Sequence, residues 1–258
     1  MLLEDRGAVV TGGGRGIGAA VARALAEAGA RVVVSARSVD EIERVAGELR
    51  QAGHGAWPVA CDVTQPDQVS ALREAAEERL GRVDILVNNA GIASSAPLKG
   101  IRLEDWNRLF AVNATGTFLC TQAFLPPMLE HGWGRVVNVA SIAGKVGAAY
   151  IAAYAASKHA VLGFTRSVAA EVAASGVTVN AVCPGYVDTP MTEQSVARIV
   201  EKTGTAEEKA RQMLRETSPQ RRLMEPEEIA YLVTSLCDPR AKGINGQALV
   251  LDGGAVQT

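Results

Sequence analysis

Tyr154 and Lys158 stand four residues apart in a segment of helical spacing, so their side chains share one face. An isolated phenol titrates near ~10 and is a poor acid–base at neutral pH. Burial raises that value, whereas a neighbouring ammonium favours the phenolate and lowers it. A lowering of about three pH units takes roughly 4 kcal/mol. One close cation in a partly dry site supplies that order of energy. The pair therefore reads as a proton donor and acceptor tuned by its neighbour. Tyr150 lies one turn earlier and has Tyr154, not lysine, four residues on, so it reads as pocket lining or packing. His159 is turned about 100° from Lys158 on the same helix. His54 and His131 fall in loops and form no pattern.

Further upstream, Thr11-Gly12-Gly13-Gly14-Arg15-Gly16-Ile17-Gly18 follows an apolar run at residues 8–10 and opens a helical pattern. Glycine at positions 12, 16 and 18 removes the Cβ atoms that would bar backbone approach to a pyrophosphate. The helix N-terminus adds free N–H groups and a partial positive charge. In that strand–turn–helix setting the glycine repeat reads as a dinucleotide cradle.

The elements that must position these residues alternate. Short β-branched or apolar runs lie at residues 8–10, 31–35, 56–60, 83–87, 135–139, 177–182 and 248–251. Helical patterns fill residues 17–28, 39–52, 66–80, 103–128 and 151–174. Pro58 marks the third run as an edge strand. Ser38-Val39-Asp40-Glu41 reads as a capping box, and Gly29, Gly53, Gly81 and Gly176 as helix stops. Strand–helix alternation predicts an α/β fold: a single-domain, Rossmann-like, doubly wound parallel sheet of about seven strands with helices on both faces. Ligands of such sheets bind at the carboxyl ends of the strands. No linker divides residues 1–258, and the polar, helical stretch at residues 186–218 reads as a substrate lid.

Composition narrows the function classes. Of 258 residues, 48% are hydrophobic and 21% charged, as in ordinary globular chains. Basic and acidic side chains number 26 and 28, a net charge of −2, which argues against nucleic acid as a partner. Cys61, Cys120, Cys183 and Cys237 are far apart and form no CxxC, so neither a metal site nor a disulfide framework is expected. No run of about 18 apolar residues is present to span a membrane. The N-terminus lacks a signal-peptide pattern. The expected location is cytoplasmic.

The Thr-Gly-x-x-x-Gly-x-Gly spacing is joined by Asn88-Asn89-Ala90-Gly91, Asn113, Ser141, Tyr154-Ala155-Ala156-Ser157-Lys158 and Pro184-Gly185. In this order, over residues 7–254, they resemble the short-chain dehydrogenase/reductase family. The resemblance implies reduction of a ketone to a secondary alcohol by hydride transfer from NADP(H), with Tyr154 as general acid. Ser141 would donate to the carbonyl oxygen, and Lys158 would also bond the nicotinamide ribose. Asn113 would anchor a relay water beside Lys158. Asn89 would fix the central sheet, Gly91 would let the backbone approach the ribose, and Val187 and Thr189 would meet the carboxamide. Thr189 also has a purely structural reading, as the cap of the lid helix.

The second apolar run ends in Ser35-Ala36-Arg37, without the acidic residue that holds a ribose diol in NAD-binding relatives. Arg37 and Arg15 can meet a 2′-phosphate in bidentate, charge-assisted contacts. Asp40 is the rival ribose acceptor, better explained by the helix dipole. Asp62 and Val63 resemble the adenine contact; Asp62 otherwise caps the next helix.

The pattern is most similar to the branch of 3-oxoacyl thioester reductases and polyketide ketoreductases. Loops at residues 130–134 and 173–176 lack the arginines that carrier-protein reductases use. A CoA ester or a small free ketone therefore stays open as substrate. Arg198 and Lys202 read either as surface charges or as contacts for a phosphorylated substrate. The family also implies a homotetramer through helices near residues 104–128 and 151–174 and the last strand. Competing readings are an NAD-linked secondary-alcohol dehydrogenase working oxidatively and a non-catalytic dinucleotide sensor.

Overall fold

The computed structural model describes residues 1–257. Seven parallel strands run in the order β3-β2-β1-β4-β5-β6-β7. They are β1 (Gly7–Thr11), β2 (Arg31–Ala36), β3 (Ala56–Ala60), β4 (Ile85–Asn88), β5 (Gly134–Val139), β6 (Val177–Pro184) and β7 (Ala248–Leu251). The order reverses between β1 and β4, which opens a crevice at their carboxyl ends, beside Thr11 and Asn88. The expected doubly wound α/β fold is the one observed, with β3 at the sheet edge.

Strand periodicity divides the core into two halves. Ala8 and Val10 point to the face covered by α1 (Gly16–Glu27), α2 (Val39–Gln51) and α9 (Pro226–Cys237). Val9 points to the other face, under α3 (Pro66–Leu80) and α5 (Gly116–Glu130), where Leu72, Phe124 and Met128 are buried. Both faces of the sheet are dry, which is why these strands read as continuous apolar runs.

Several elements differ from the sequence expectations. The fourth strand starts at Ile85, because Asp84 is buried and its carboxylate accepts from the Gly7 amide at 2.9 Å and from Arg6 at 3.0 Å. The pattern at residues 103–128 divides into α4 (Leu103–Phe110), a π-helical turn at Ala111–Thr115 and α5. Ser38 stands at the N-cap of α2 but makes no side-chain cap bond, so the expected capping box does not form. The Glu41 carboxylate is instead drawn to Arg15, at 3.3 Å. Helix α9 lies outside the expected elements, although Pro226 at its first turn and a Glu225/Glu228 capping box mark its start. Helix α6 (Ala152–Glu171) carries the Tyr154–Lys158 face. Residues 186–218 hold α7 (Pro190–Thr203) and α8 (Glu207–Arg215). Among the described residues no helix is long and apolar enough to cross a membrane, and no His/Cys/Asp/Glu group could hold a metal ion. The four cysteines are buried and free.

Candidate active site

The glycine turn comes first. Gly12 has φ of +63°, a left-handed conformation that strains any residue with a Cβ. A Cβ on Gly18 would stand 2.2 Å from the Gly12 carbonyl oxygen and 2.4 Å from Asn89 Nδ2. The Asn89 amide donates to the Thr11 and Gly12 carbonyls, both at 3.0 Å, and so ties the turn to the end of β4. Arg15 is the N-cap of α1 and provides no side-chain cap, so the amides of the first turn remain open to an anion. The Ser35 hydroxyl is buried and unpartnered where β2 ends beside this turn. A cradle that any side chain at Gly18 would fill, with open amides, fits a pyrophosphate.

The ends of β2 and β3 carry the other proposed dinucleotide contacts. Arg37 follows β2 with a largely exposed side chain, 4.0 Å from the Asp62 carboxylate. Asp62 Oδ1 accepts from the Thr64 amide at 3.0 Å and hydroxyl at 2.8 Å, forming the turn that leads into α3. Val63 is buried against Gly116, where a Cβ would come within 2.6 Å of Val63 Cγ2. Glu41 was not anticipated: its Cβ stands 2.7 Å from where a Gly14 Cβ would lie.

Beyond the turn, a cavity of about 380 Å³ opens at the carboxyl ends of β4, β5 and β6. Ile17, Asn89, Gly91, Ser141, Tyr154, Lys158, Val187 and Thr189 all line it, as expected of one site. Tyr150 lines it too, in a left-handed backbone conformation with φ of +70°. His159 does not; its ring bonds the Ala155 carbonyl. Thr189 touches the glycine turn, 3.2 Å from where a Gly16 Cβ would lie, and its hydroxyl donates to the Val187 carbonyl. It also occupies the N-cap of α7, without a side-chain cap bond.

Ser141 and Tyr154 are hydrogen-bonded to each other. The Lys158 ammonium lies 5.9 Å from the Tyr154 ring centre and donates to the Val139 carbonyl at 2.9 Å. Desolvation pushes the Tyr154 phenol above its ordinary value, and the Ser141 hydrogen bond only partly opposes this. The net shift is thus upward, not the expected lowering: burial outweighs any stabilisation from the ammonium, which donates to the Val139 carbonyl. Burial also brings Lys158 down to about 8.

Asn113 sits behind this group, in the π-helical turn. Its Oδ1 accepts from the Ile92 amide at 2.9 Å, and its Nδ2 donates to the Ile92 carbonyl and Ser157 Oγ, both at 3.0 Å. The side chain therefore clamps the loop after β4 to α6. A Cβ on Gly91 would lie 3.4 Å from Asn113 Oδ1 and 3.6 Å from Lys158 Nζ, so both groups border the same small space.

The sequence reading missed Tyr186, an exposed residue of the cavity wall, and left Arg198 undecided between surface and site. Lys202 is exposed, but Arg198 lines the cavity.

A doubly wound sheet with a glycine-turn cradle and a Ser–Tyr–Lys group at its switch point defines a dinucleotide-dependent oxidoreductase. The family profile described as short chain dehydrogenase matches residues 6–199. The chain is 40% identical to a solved structure of an actinorhodin polyketide ketoreductase variant with NADPH, with a TM-score of 0.95 and 99% of each chain covered. It is 38% identical over 252 residues to D-beta-hydroxybutyrate dehydrogenase of Rhizobium meliloti (strain 1021), covering 96% of this chain and 97% of that protein. It is 41% identical over 249 residues to a putative ketoacyl reductase of Streptomyces coelicolor, covering 96% and 95%. The chain belongs to the short-chain dehydrogenase family.

Proposed function

We propose that this protein reduces a ketone to a secondary alcohol with NADPH, as a single catalytic domain whose segment 186–218 forms a lid. The observation that carries this reading is the Tyr154 hydroxyl, hydrogen-bonded to Ser141, in the wall of a cavity that adjoins a pyrophosphate cradle. The names of the two reductase relatives point the same way.

When bound, the nicotinamide supplies the hydride for the carbonyl carbon. Gly12, Gly16 and Gly18 would admit the pyrophosphate, and Arg15 and Arg37 would take the 2′-phosphate. Asp62 and Val63 flank the adenine side, and Gly91, Val187 and Thr189 the nicotinamide side. Ser141 Oγ donates to the carbonyl oxygen and stabilises the negative charge that grows there. Tyr154 then delivers its proton to that oxygen. Lys158, cationic below about 8, lowers the energy of the phenolate left behind. Asn113 and Lys158 border the space through which a water would return the proton.

One observation favours a second reading. The hydroxybutyrate dehydrogenase relative is named for an oxidation, and Glu41 places a carboxylate beside the glycine turn, where it would repel a 2′-phosphate. That reading is an NAD-linked secondary-alcohol dehydrogenase. Initial rates with NADPH and NADH on a ketone panel decide between them. The proposal expects NADPH to be preferred at least tenfold in kcat/KM. Preference for NADH, together with faster alcohol oxidation than ketone reduction near neutral pH, would replace it.

A further inference from the structure

The cavity wall is mainly apolar, with Ile92, Met191, Ile199 and Leu214 among its residues. Among the described residues of that wall, Lys158 and Arg198 are the two cations, and no carboxylate is present. Lys158 is occupied by the reaction. Arg198 has no part in it. It projects from α7, where Nη1 donates to the Ala93 carbonyl at 3.0 Å and Nη2 to Ser195 Oγ at 3.2 Å. Its Nε is buried and has no hydrogen-bond partner. Other arginines of the same segment meet carboxylates: Arg211 pairs with Glu193 and Arg215 with Glu208. Arg198 meets only neutral groups. A guanidinium held in a partly dry wall without a counter-ion leaves a charge that an anion would neutralise.

Tyr186 gives the position of that charge relative to the chemistry. Arg198 opposes the rise that burial imposes on the Tyr186 phenol, and Tyr186 in turn adds to the rise at Tyr154. Tyr154, Tyr186 and Arg198 all line the one cavity, and Arg198 is bonded to Ala93, two residues beyond Gly91, whose Cβ would lie 3.6 Å from Lys158 Nζ. A substrate whose carbonyl oxygen meets Tyr154 therefore shares its cavity with the Arg198 guanidinium.

We propose that Arg198 is the specificity-determining anchor for a substrate carboxylate, and that the preferred substrates are small keto acids rather than neutral ketones or thioesters. The proposal rests on the reductase reading above. A planar guanidinium and a carboxylate meet edge to edge, which fixes orientation as well as affinity. A thioester offers no charge at that place. The cavity, at about 380 Å³ including the space nearest the glycine turn, suits a short acid.

The test uses the whole enzyme with NADPH and two acids of different length, acetoacetate and 4-oxopentanoate, each against its methyl ester. The wild type should reduce at least one acid with kcat/KM tenfold or more above its ester. Arg198→Gln should lower that acid-to-ester ratio at least tenfold, mainly through KM. Arg198→Lys, which keeps the charge but not the fork, should recover part of it. A wild-type ratio at or below one overturns the proposal. So does a loss in Arg198→Gln that is equal for acid and ester, because a bond to Ala93 that only holds the lid would lower both alike. If all four compounds and a broader ketone panel are inert while NADPH binds, the reductase reading itself fails. Reduction of esters with indifference to the carboxylate removes the anchor alone.

Discussion

Lys158 carries the clearest prediction at the residue scale. Its ammonium is lost as pH rises through about 8, because the buried site favours the neutral amine. On the proposed mechanism, loss of that cation removes the stabilisation of the phenolate that Tyr154 becomes on giving up its proton. The kcat/KM for ketone reduction should therefore hold below about 8 and fall above it. Lys158→Arg, whose charge persists, should lose the descending limb. A profile that descends at the same pH in Lys158→Arg would assign the limb to another group. Cofactor choice belongs to this scale as well. Arg15→Ala combined with Arg37→Ala should raise KM for NADPH at least tenfold and change KM for NADH less than threefold. Equal changes for both would remove the arginines from phosphate recognition. Tyr154 and Lys158 were singled out by residue type and spacing and Ser141 by the family resemblance, and the structure places all three in one cavity wall. The direction of the phenol's shift was not legible, since desolvation and the aim of the ammonium toward Val139 are tertiary facts. Arg198 was ambiguous for the same reason: a helical pattern does not say which face of α7 turns toward a cavity.

At the scale of elements, the glycine turn, the π-helical turn and α7 surround the candidate site. Gly18→Ala would press its methyl group into the Gly12 carbonyl and Asn89 amide. Overpacking of this kind costs about 1–3 kcal/mol. The variant should melt several degrees lower and bind NADPH more weakly, as thermal unfolding with and without NADPH would measure. An unchanged NADPH-dependent rise in Tm would contradict the cradle. The π-helical turn explains why Asn113 tolerates a helix interior: the local widening coincides with an amide that bridges Ile92 and Ser157. Alternation of strands and helices was legible, since sheet faces dry on both sides demand apolar runs. The start of β4 was not, because the Asp84 charge is satisfied only by Arg6, Arg82 and the Gly7 amide, which are distant or outside the strand pattern. Helix α9 was harder to see beside the stronger apolar runs, although its capping residues stand in the sequence.

At the scale of the whole molecule, α4 and α5 expose Leu103, Trp106, Phe118 and Leu129. Trp106 stacks on Phe110 at 4.8 Å, and Phe118 meets Phe164 edge to face at 6.2 Å, so these rings form ordered apolar ground along α4, α5 and α6. Such ground suits contact between copies of the chain. Light scattering should give a mass four times that of the 27.0 kDa chain. Phe118→Glu should shift it toward smaller species; a wild-type mass of one subunit would refute the tetramer. The same fold that sets out these surfaces brings residues from the glycine turn, the ends of β4, β5 and β6, and helices α7 and α8 to one cavity. On the proposed reading, that convergence serves the delivery of one proton from Tyr154. Turnover of Tyr154→Phe with NADPH and a ketone that the wild type reduces, measured beside NADPH affinity, tests this most directly. The predicted result is a fall in kcat of about 10³-fold with NADPH affinity within a few-fold of wild type. A kcat within tenfold of wild type would contradict it.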